Sequence, residues 1–573
     1  MNKKHFFLIV LFVVCGMPAM AADFEMAKYA VKNMGLGWNL GNTLDANNQS
    51  ITDPSNDSFW GQQDLNSETC WGQYLTKPEL MKMMKEAGFG AIRVPVTWYN
   101  HMDKDGNVDA AWMKRVREVV DYVIDQGMYC IINVHHDTGA DGNGFTSWIK
   151  ADEANYNTNK ARYEKLWQQI AEEFKDYDQH LLFESYNEML DKLNSWCYAS
   201  MKASGQYNAS VATSAYNAIN SYAQSFVSTV RASGGNNAQR NIIVNTYCAS
   251  NGYGNWSTHL KEPLTKLNMP TGEYHHIIFE VHAYPNITNN GANRSISDIK
   301  NEVDGMISLL NTELVSKGAP VIFGEWGTSN VDAAETDYDV RRSLMFQFCE
   351  YFVQKCKENN IGTFYWMGLT DGASRLFPAF HQADLAKCLL QAYHGKSYEP
   401  VLPERSDYTN SCISCTVNYN QQWSEFNLVQ GSFTSNDYIR LQLELEEAPA
   451  SGLLQVKIYN DKEKTQDVTA ATTKVAITAD MGKVTRITLQ CKQNSGTVKV
   501  KNIWLIKKDG TMVPSDPSVF WGCTMSDVGV TTRIGNVYTT EKTNNGIIYD
   551  LRGQQQNMPK KGLFIQNGRK YIK

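Results

Sequence analysis

Two glutamates, Glu188 and Glu325, stand at the ends of short apolar runs, in company that perturbs carboxyl groups. Asn187 precedes the first, while Arg93, His282 and Tyr284 close other apolar runs. A guanidinium beside one carboxyl keeps it ionised, and hydrogen bonds from a tyrosine and a histidine orient it. Two carboxyl groups with pKa values pushed apart in this way can serve as a nucleophile and a proton donor. Each glutamate alone is as readily a salt-bridge partner at a loop base. It is the joint pattern that carries weight. His135-His136-Asp137 closes a further run, and adjacent histidines also occur in metal hydrolases. A metal would need more ligands from other strand ends, where only His282 offers one. Neither a metal nor a cofactor is expected.

The elements that must position these residues alternate. Amphipathic stretches at 78–87, 112–124, 163–174, 215–230, 299–314 and 340–356 carry apolar residues at helical spacing, and Gly88, Gly127, Gly234 and Gly318 stop several of them. Eight apolar runs of strand length separate them, at 36–40, 91–96, 129–134, 181–186, 242–247, 277–281, 321–323 and 363–367. Continuous apolar strands between helices point to a parallel sheet with both faces covered. Eight units in some 360 residues fit a (β/α)8 TIM barrel, an α/β fold, with an open doubly wound sheet as the alternative. In the barrel all C-terminal strand ends converge on one face, so Asn42, Asp45, Arg93, His135, His136, Asn187, Glu188, Tyr247, His282, Tyr284, Glu325, Trp326 and Trp366 would share a pocket.

Several segments resemble glycoside hydrolase family 5, in the clan of retaining (β/α)8 glycosidases: Ile92-Arg93-Val94-Pro95-Val96, Asn133-Val134-His135-His136, Glu184-Ser185-Tyr186-Asn187-Glu188, Val281-His282-Ala283-Tyr284 and Phe323-Gly324-Glu325-Trp326-Gly327. Trp38 to Asp45 and Glu68-Thr69-Cys70-Trp71-Gly72 resemble its endoglucanase branches, and the likeness runs from about Met34 to His394. The resemblance implies Glu188 as acid/base and Glu325 as nucleophile. It implies that Arg93 and Tyr284 hold Glu325, that His282 sits near the acid/base, and that Asn187 and His135 contact the sugar above a floor made by Trp366. It further implies a secreted endo-β-1,4-glucanase acting by double displacement, with the carboxyl groups about 5 to 5.5 Å apart. Xyloglucan, lichenan or mannan are alternative substrates, and a non-catalytic glycan-binding protein is the distant rival.

Sugar rings stack on aromatic faces, so the placement of the 14 tryptophans matters: 11 lie between Trp38 and Trp366. Trp60, Trp71, Trp148, Trp196 and Trp256 fall in polar loops and are candidate platforms, Trp71 and Trp148 the preferred ones, whereas Trp112 and Trp167 read as core. The polar insert at 45–70 is long enough to shape the cleft.

The 573-residue chain has a net charge of −6, 42% hydrophobic and 20% charged residues, which speaks for large folded domains and against a nucleic-acid partner. A monomer with a β-glucan polysaccharide as its partner is expected. Residues 1–22 show the basic, apolar and small-residue order of a secretory signal, with a lipidated Cys15 as a weaker reading, and no later run is long enough to span a membrane. The expected division is a catalytic barrel at 23–398, a linker at 399–410, a β-sandwich at 411–510 that is a possible carbohydrate-binding module, and a sorting-like segment at 528–573. Cys412-Ile-Ser-Cys415 lacks nearby histidines, so buried thiols or a local disulfide are expected there rather than zinc.

Overall fold

The computed structural model describes residues 23–142, 145–201, 206–272, 274–289, 292–328, 338–408, 411–460 and 463–532, and beyond these the strands Ile548–Asp550, Gln555–Gln556, Leu563–Gln566 and Arg569–Ile572 as backbone. The expected signal segment at 1–22 lies outside the described residues, as does most of the sorting-like segment.

All eight expected strands form: β1 Leu36–Asn39, β2 Ala91–Val94, β3 Tyr129–Asn133, β4 Leu181–Glu184, β5 Ile242–Ser250, β6 Ile277–Ala283, β7 Val321–Trp326 and β8 Gly362–Tyr365. They pair in parallel, each with its sequence neighbour, and β1 closes on β8 to complete a barrel. The helices begin earlier than their apolar periodicity, at Ala110–Ile124, Glu153–Glu173 and Ala209–Ala232, where the side chains of Asp109, Asp152 and Asn208 accept from the first free N–H groups and cap each helix. Helices Ala27–Asn33 and Ala383–His394 add to the six read from the sequence.

Strand alternation divides the barrel in two. Ile92, Cys130, Phe183, Val244, Phe279 and Phe323 face outward into the helix layer. Ala91, Ile131, Leu182, Ile243, Ile278 and Ile322 face inward, where the N-terminal helix residues Ala30 and Val31 plug the lower end. Two residues further along the same strands, the inward positions become Arg93, Asn133, Glu184, Asn245, Glu280 and Gly324. The barrel interior is therefore apolar below and polar immediately beneath the strand ends.

The C-terminal part is a two-sheet antiparallel sandwich, as expected. One sheet orders Thr472–Ala476, Tyr438–Leu445, Gly496–Lys507, Ser411–Tyr419 and Cys523–Thr532, and the other orders Lys464–Asp467, Leu454–Tyr459, Val484–Cys491, Glu425–Phe433 and Ser518–Trp521. Strands from 512 to 532 belong to both sheets, so the sandwich extends past the expected boundary at 510. The missed strands carry few aliphatic residues, and two of the three are only three and four residues long. Cys415 points into the sandwich core and Cys412 packs beside Trp504, on opposite faces of one strand, so both are buried thiols rather than a disulfide.

Residues 399–408 are tied to both parts. Arg405 pairs with Asp516 at 3.2 Å and lies over the Phe377 ring at 3.7 Å. The Tyr408 hydroxyl donates to the Pro378 carbonyl, and the Tyr74 hydroxyl of the barrel donates to Pro517 of the sandwich at 2.6 Å.

At the lower rim, buried Arg240 donates to Asn237 Oδ1 and to the carbonyls of Phe174, Tyr177, Asp178 and Leu181. Replacement by alanine strands several buried acceptors, each worth roughly 1–3 kcal/mol. Arg240→Ala is expected to lose at least about 3 kcal/mol of stability in urea unfolding, while the folded fraction keeps its specific activity.

Candidate active site

Arg93 is fully buried and its guanidinium donates to two carboxylates and two amides. Nε and Nη2 grip Glu184 at 2.6 and 2.8 Å, Nη1 donates to Glu325 Oε1 at 2.8 Å and to Asn39 Oδ1 at 2.9 Å, and Nη2 donates to Asn187 Oδ1 at 2.8 Å. Glu280 lies 3.6 Å from Nε. A planar fork with five donors suits this multi-sided task, which a lysine could not perform.

The bulge in the pairing of β6 with β7 places His282 opposite Glu325, whereas regular register would have set it against Gly324. Gly324 has another reason to lack a side chain: a Cβ there would lie 1.5 Å from Glu280 Oε1. Glu325 receives the Tyr284 hydroxyl at Oε2, 2.8 Å away. Burial pushes its pKa upward, but His282, Arg93 and the Tyr284 hydrogen bond together outweigh that and hold the carboxyl below its ordinary value.

His282 links the carboxyl groups. Nδ1 lies 2.8 Å from Glu188 Oε1 and Nε2 3.3 Å from Glu280 Oε1. Burial opposes its charge, yet Glu325, Glu188 and Glu280 raise its pKa to about 10, so both ring nitrogens donate. Burial and the neighbouring Glu184 charge push the Glu280 pKa above its ordinary value, against the pull of Arg93 and His282. Glu188 is the more accessible of the two end glutamates. One oxygen of Glu188 and one of Glu325 lie within 4.8 Å of each other.

His135 is held as a neutral donor. The Val96 N–H donates to Asn133 Oδ1, which fixes the amide so that its Nδ2 donates to His135 Nδ1 at 3.0 Å. The ring proton then sits on Nε2, 3.9 Å from Glu325 Oε1. Burial and the His136, Arg93 and His282 charges hold the His135 pKa well below its usual value. Its ring runs parallel to half-buried Trp366. Trp366 presses on Gly41, where a Cβ would come within 2.9 Å. Asn187 gives its Oδ1 to Arg93, which leaves Nδ2 as the end that can meet a substrate hydroxyl.

Other expected site residues divide. Trp71 is half-buried, tilts against His136 at 5.2 Å and donates its indole N–H to Asn47. Asp45 folds the loop after β1 by accepting from the N–H groups of Thr43 and Asn42, and supports His136 from 3.7 Å. Asn42 serves that turn with a left-handed backbone. Asp45, His135 and His136 do bring ligand atoms within 4.8 Å, a grouping with more metal-binding capacity than the sequence indicated.

Four expected residues, Trp148, Trp326, Trp60 and Tyr247, do not reach the cleft. Trp148 is 1% exposed, packs against Trp60 and donates to buried Asp137 at 2.6 Å. Trp326 follows Glu325 on the strand, so alternation turns it outward onto Phe348 and Phe352. Trp60 is likewise buried, beneath Arg162. Trp196 and Trp256, by contrast, are 42% and 60% exposed in the groove that contains Glu188, His282 and Tyr284. Trp112 and Trp167 are core, as expected, and Tyr247 is buried, its hydroxyl bonded to Ser195. Sequence reasoning assigned no role to Asn39, Asn133, Glu184 and Glu280. Their signal is a polar residue at the inward position of an apolar strand.

The model of the family described as Cellulase (glycosyl hydrolase family 5) matches residues 46–370. The chain belongs to glycosyl hydrolase family 5. Endoglucanase B of Neocallimastix patriciarum is 32% identical over 369 residues, covering 63% of this chain and 68% of that protein. A GH5-4 broad specificity endoglucanase from an uncultured bacterium is 65% identical, with a TM-score of 0.61 over 66% of this chain and 98% of that one. PbGH5A, a family 5 enzyme from Prevotella bryantii B14, is 41% identical with a TM-score of 0.55, covering 65% and 99% respectively. This chain is accordingly a glycoside hydrolase of the endoglucanase kind, and the family match spans most of the barrel.

Two substitutions test the site. Tyr284→Phe removes a charge-assisted hydrogen bond worth about 1.5–3 kcal/mol. It lets the Glu325 pKa rise, so the acid limb of the kcat/KM profile should move to higher pH and the plateau fall by about 10- to 100-fold. An unmoved limb would show that Tyr284 does not hold the carboxylate. Gly324→Ala should drive Glu280 off His282 and lower both the melting temperature and kcat, and wild-type values for both would contradict the packing described.

Proposed function

We propose that this family 5 endoglucanase is a retaining endo-β-1,4-glucanase with Glu325 as nucleophile and Glu188 as general acid/base. The observation that carries this reading is the nearness of the two carboxyl groups, which face each other across His282 Nδ1 with one oxygen of each within 4.8 Å. Retaining glycosidases keep their carboxyl groups about 5–5.5 Å apart, whereas inverting enzymes need about 6.5–9.5 Å to admit a water.

Glu325, ionised and aimed by Arg93 and Tyr284, attacks the anomeric carbon as Glu188 protonates the departing oxygen. In the second half Glu188 takes a proton from water, which displaces Glu325 and frees the sugar with its β configuration. His282 can donate to Glu188 whenever that residue is ionised. His135 Nε2–H and Asn187 Nδ2 are the donors for sugar hydroxyls, and Trp366 is the stacking floor. Trp196 and Trp256 sit on the Glu188 side and suit the leaving portion of the chain.

The broad specificity printed for the 65% identical relative, and the xyloglucan tetradecasaccharide solved with a 40% identical one, support activity on decorated as well as plain β-1,4-glucans. The order of residues 1–22 supports export to the cell surface or medium.

Proton NMR during hydrolysis of a cello-oligosaccharide should show the β-anomer first. Initial α-anomer would mean inversion and sink the double displacement. Glu325→Gln should cut kcat at least about 10³-fold while chain binding persists. Exhaustive chelation should leave activity unchanged, and its loss would instead favour a cation at Asp45, His135 and His136.

A further inference from the structure

We propose that the outer face of the second sandwich sheet is a separate binding site for a β-linked glucan chain. Its residues form two rows directly across four strands. Gln455, Gln490, Glu425 and Trp521 make one row, and Lys457, Thr488, Asn427 and Ser518 the next.

The solvent side of a sandwich sheet is ordinarily exposed and polar. Here the middle of that side is polar but buried. Glu425 and Gln490 are 5% and 6% exposed, and Asn427 and Thr488 are as deeply covered. Glu425 accepts from the Tyr459 hydroxyl at 2.6 Å and from Gln490 Nε2 at 2.9 Å, with the Lys457 and Arg486 cations 3.6 and 3.7 Å away. Among the described residues, Asn427 Oδ1 and Thr488 Oγ1 have no hydrogen-bond partner. Buried unpaired acceptors are costly, and a hydroxyl-rich ligand supplies the donors they lack.

Aromatic faces edge this floor. A bulge in the pairing of Glu425–Phe433 with Ser518–Trp521 turns two successive aromatic side chains to the outside, Phe520 at 41% and Trp521 at 50% exposure. Arg486 is clamped between the Phe520 and Tyr459 rings at 4.2 and 3.9 Å. Trp423, 47% exposed, has a left-handed backbone at φ 67° and its carbonyl accepts from Gln490. A bulky residue in that conformation is strained, and exposing its indole adds no folding stability, so binding is what the arrangement serves.

The occupant follows from the chemistry. Flat aromatic faces beside buried hydrogen-bonding groups match a sugar chain, with apolar ring faces and hydroxyl edges. The strand bearing Phe520 and Trp521 starts just after Pro517, whose carbonyl accepts from Tyr74, and Val519 O lies against Gly72, next to Trp71 of the cleft wall. Naming the chain a β-glucan rests on the endoglucanase reading, and the position beside the cleft is what joins the two sites to one polymer.

The test is native gel electrophoresis of the full-length Glu325→Gln protein through gels containing hydroxyethylcellulose, xyloglucan or mannan. The wild-type background is assayed in parallel on a short chromogenic cello-oligosaccharide. Trp521→Ala and Trp423→Ala should each weaken retardation by the glucans at least fivefold, with Trp521→Tyr largely restoring it. Short-substrate kcat/KM and melting temperature should stay at the parent's values. Retardation unchanged in both alanine variants, or a parent not retarded by either glucan, would overturn the site. Stronger retardation by mannan than by glucan would overturn the ligand assignment even with the sheet face intact. Loss of short-substrate activity in either alanine variant would place that tryptophan in the cleft and overturn the separate site, whereas an unsubstituted protein inactive on the short substrate would count against the endoglucanase reading itself.

Discussion

The buried guanidinium of Arg93 is the interaction on which the rest of the barrel interior depends. Without it, Glu184, Glu280 and Glu325 would place three carboxyl groups in a space closed to water, an arrangement that desolvation alone makes prohibitive. With it, the groups separate by role. Glu184 is gripped by two parallel hydrogen bonds and anchors the cation, Glu280 bonds His282, and Glu325 is left ionised with one edge toward the cleft. A buried ion pair is weak evidence for stability. Its value here is the geometry that it imposes on a carboxylate required to react.

The same cluster explains why the tautomers and charges around the cleft are fixed before a substrate arrives. A backbone N–H at Val96 orients Asn133, which orients His135, and three carboxyl groups keep His282 charged. Donors set in advance cost no reorganisation during the reaction, which is the largest electrostatic advantage an enclosed site offers over water. Beneath it the inward Ile and Leu side chains pack with the N-terminal helix into a buried apolar plug.

Much of this was legible in the residues. Eight apolar runs between helices specified the barrel, and polar strand ends named Glu188, Glu325, Arg93, His282 and Tyr284. The polar layer formed by Asn39, Asn133, Glu184 and Glu280 went unread because each residue sits inside a run that looks uniformly apolar. Counting in twos from the inward Ile and Leu positions recovers it. The opposition of His282 to Glu325 depends on a bulge at Gly324, and nothing local in Val281-His282 or Gly324-Glu325 announces one. Trp148 and Trp326 were misplaced for a related reason: nearness in sequence to reactive groups says nothing of which face a side chain takes. In the sandwich the alternation was visible, but the burial of Glu425 and Asn427 on its outer side arises from neighbours on other strands.

The central claim is that Arg93 and Tyr284 hold Glu325 as the attacking carboxylate. Mass spectrometry after incubation with a 2-deoxy-2-fluoro cellobioside bearing a good leaving group addresses it directly, since the fluorine slows breakdown of a covalent glycosyl-enzyme. The account predicts stoichiometric labelling on the peptide containing Glu325. Labelling at Glu188, or inactivation without any covalent adduct, would contradict it.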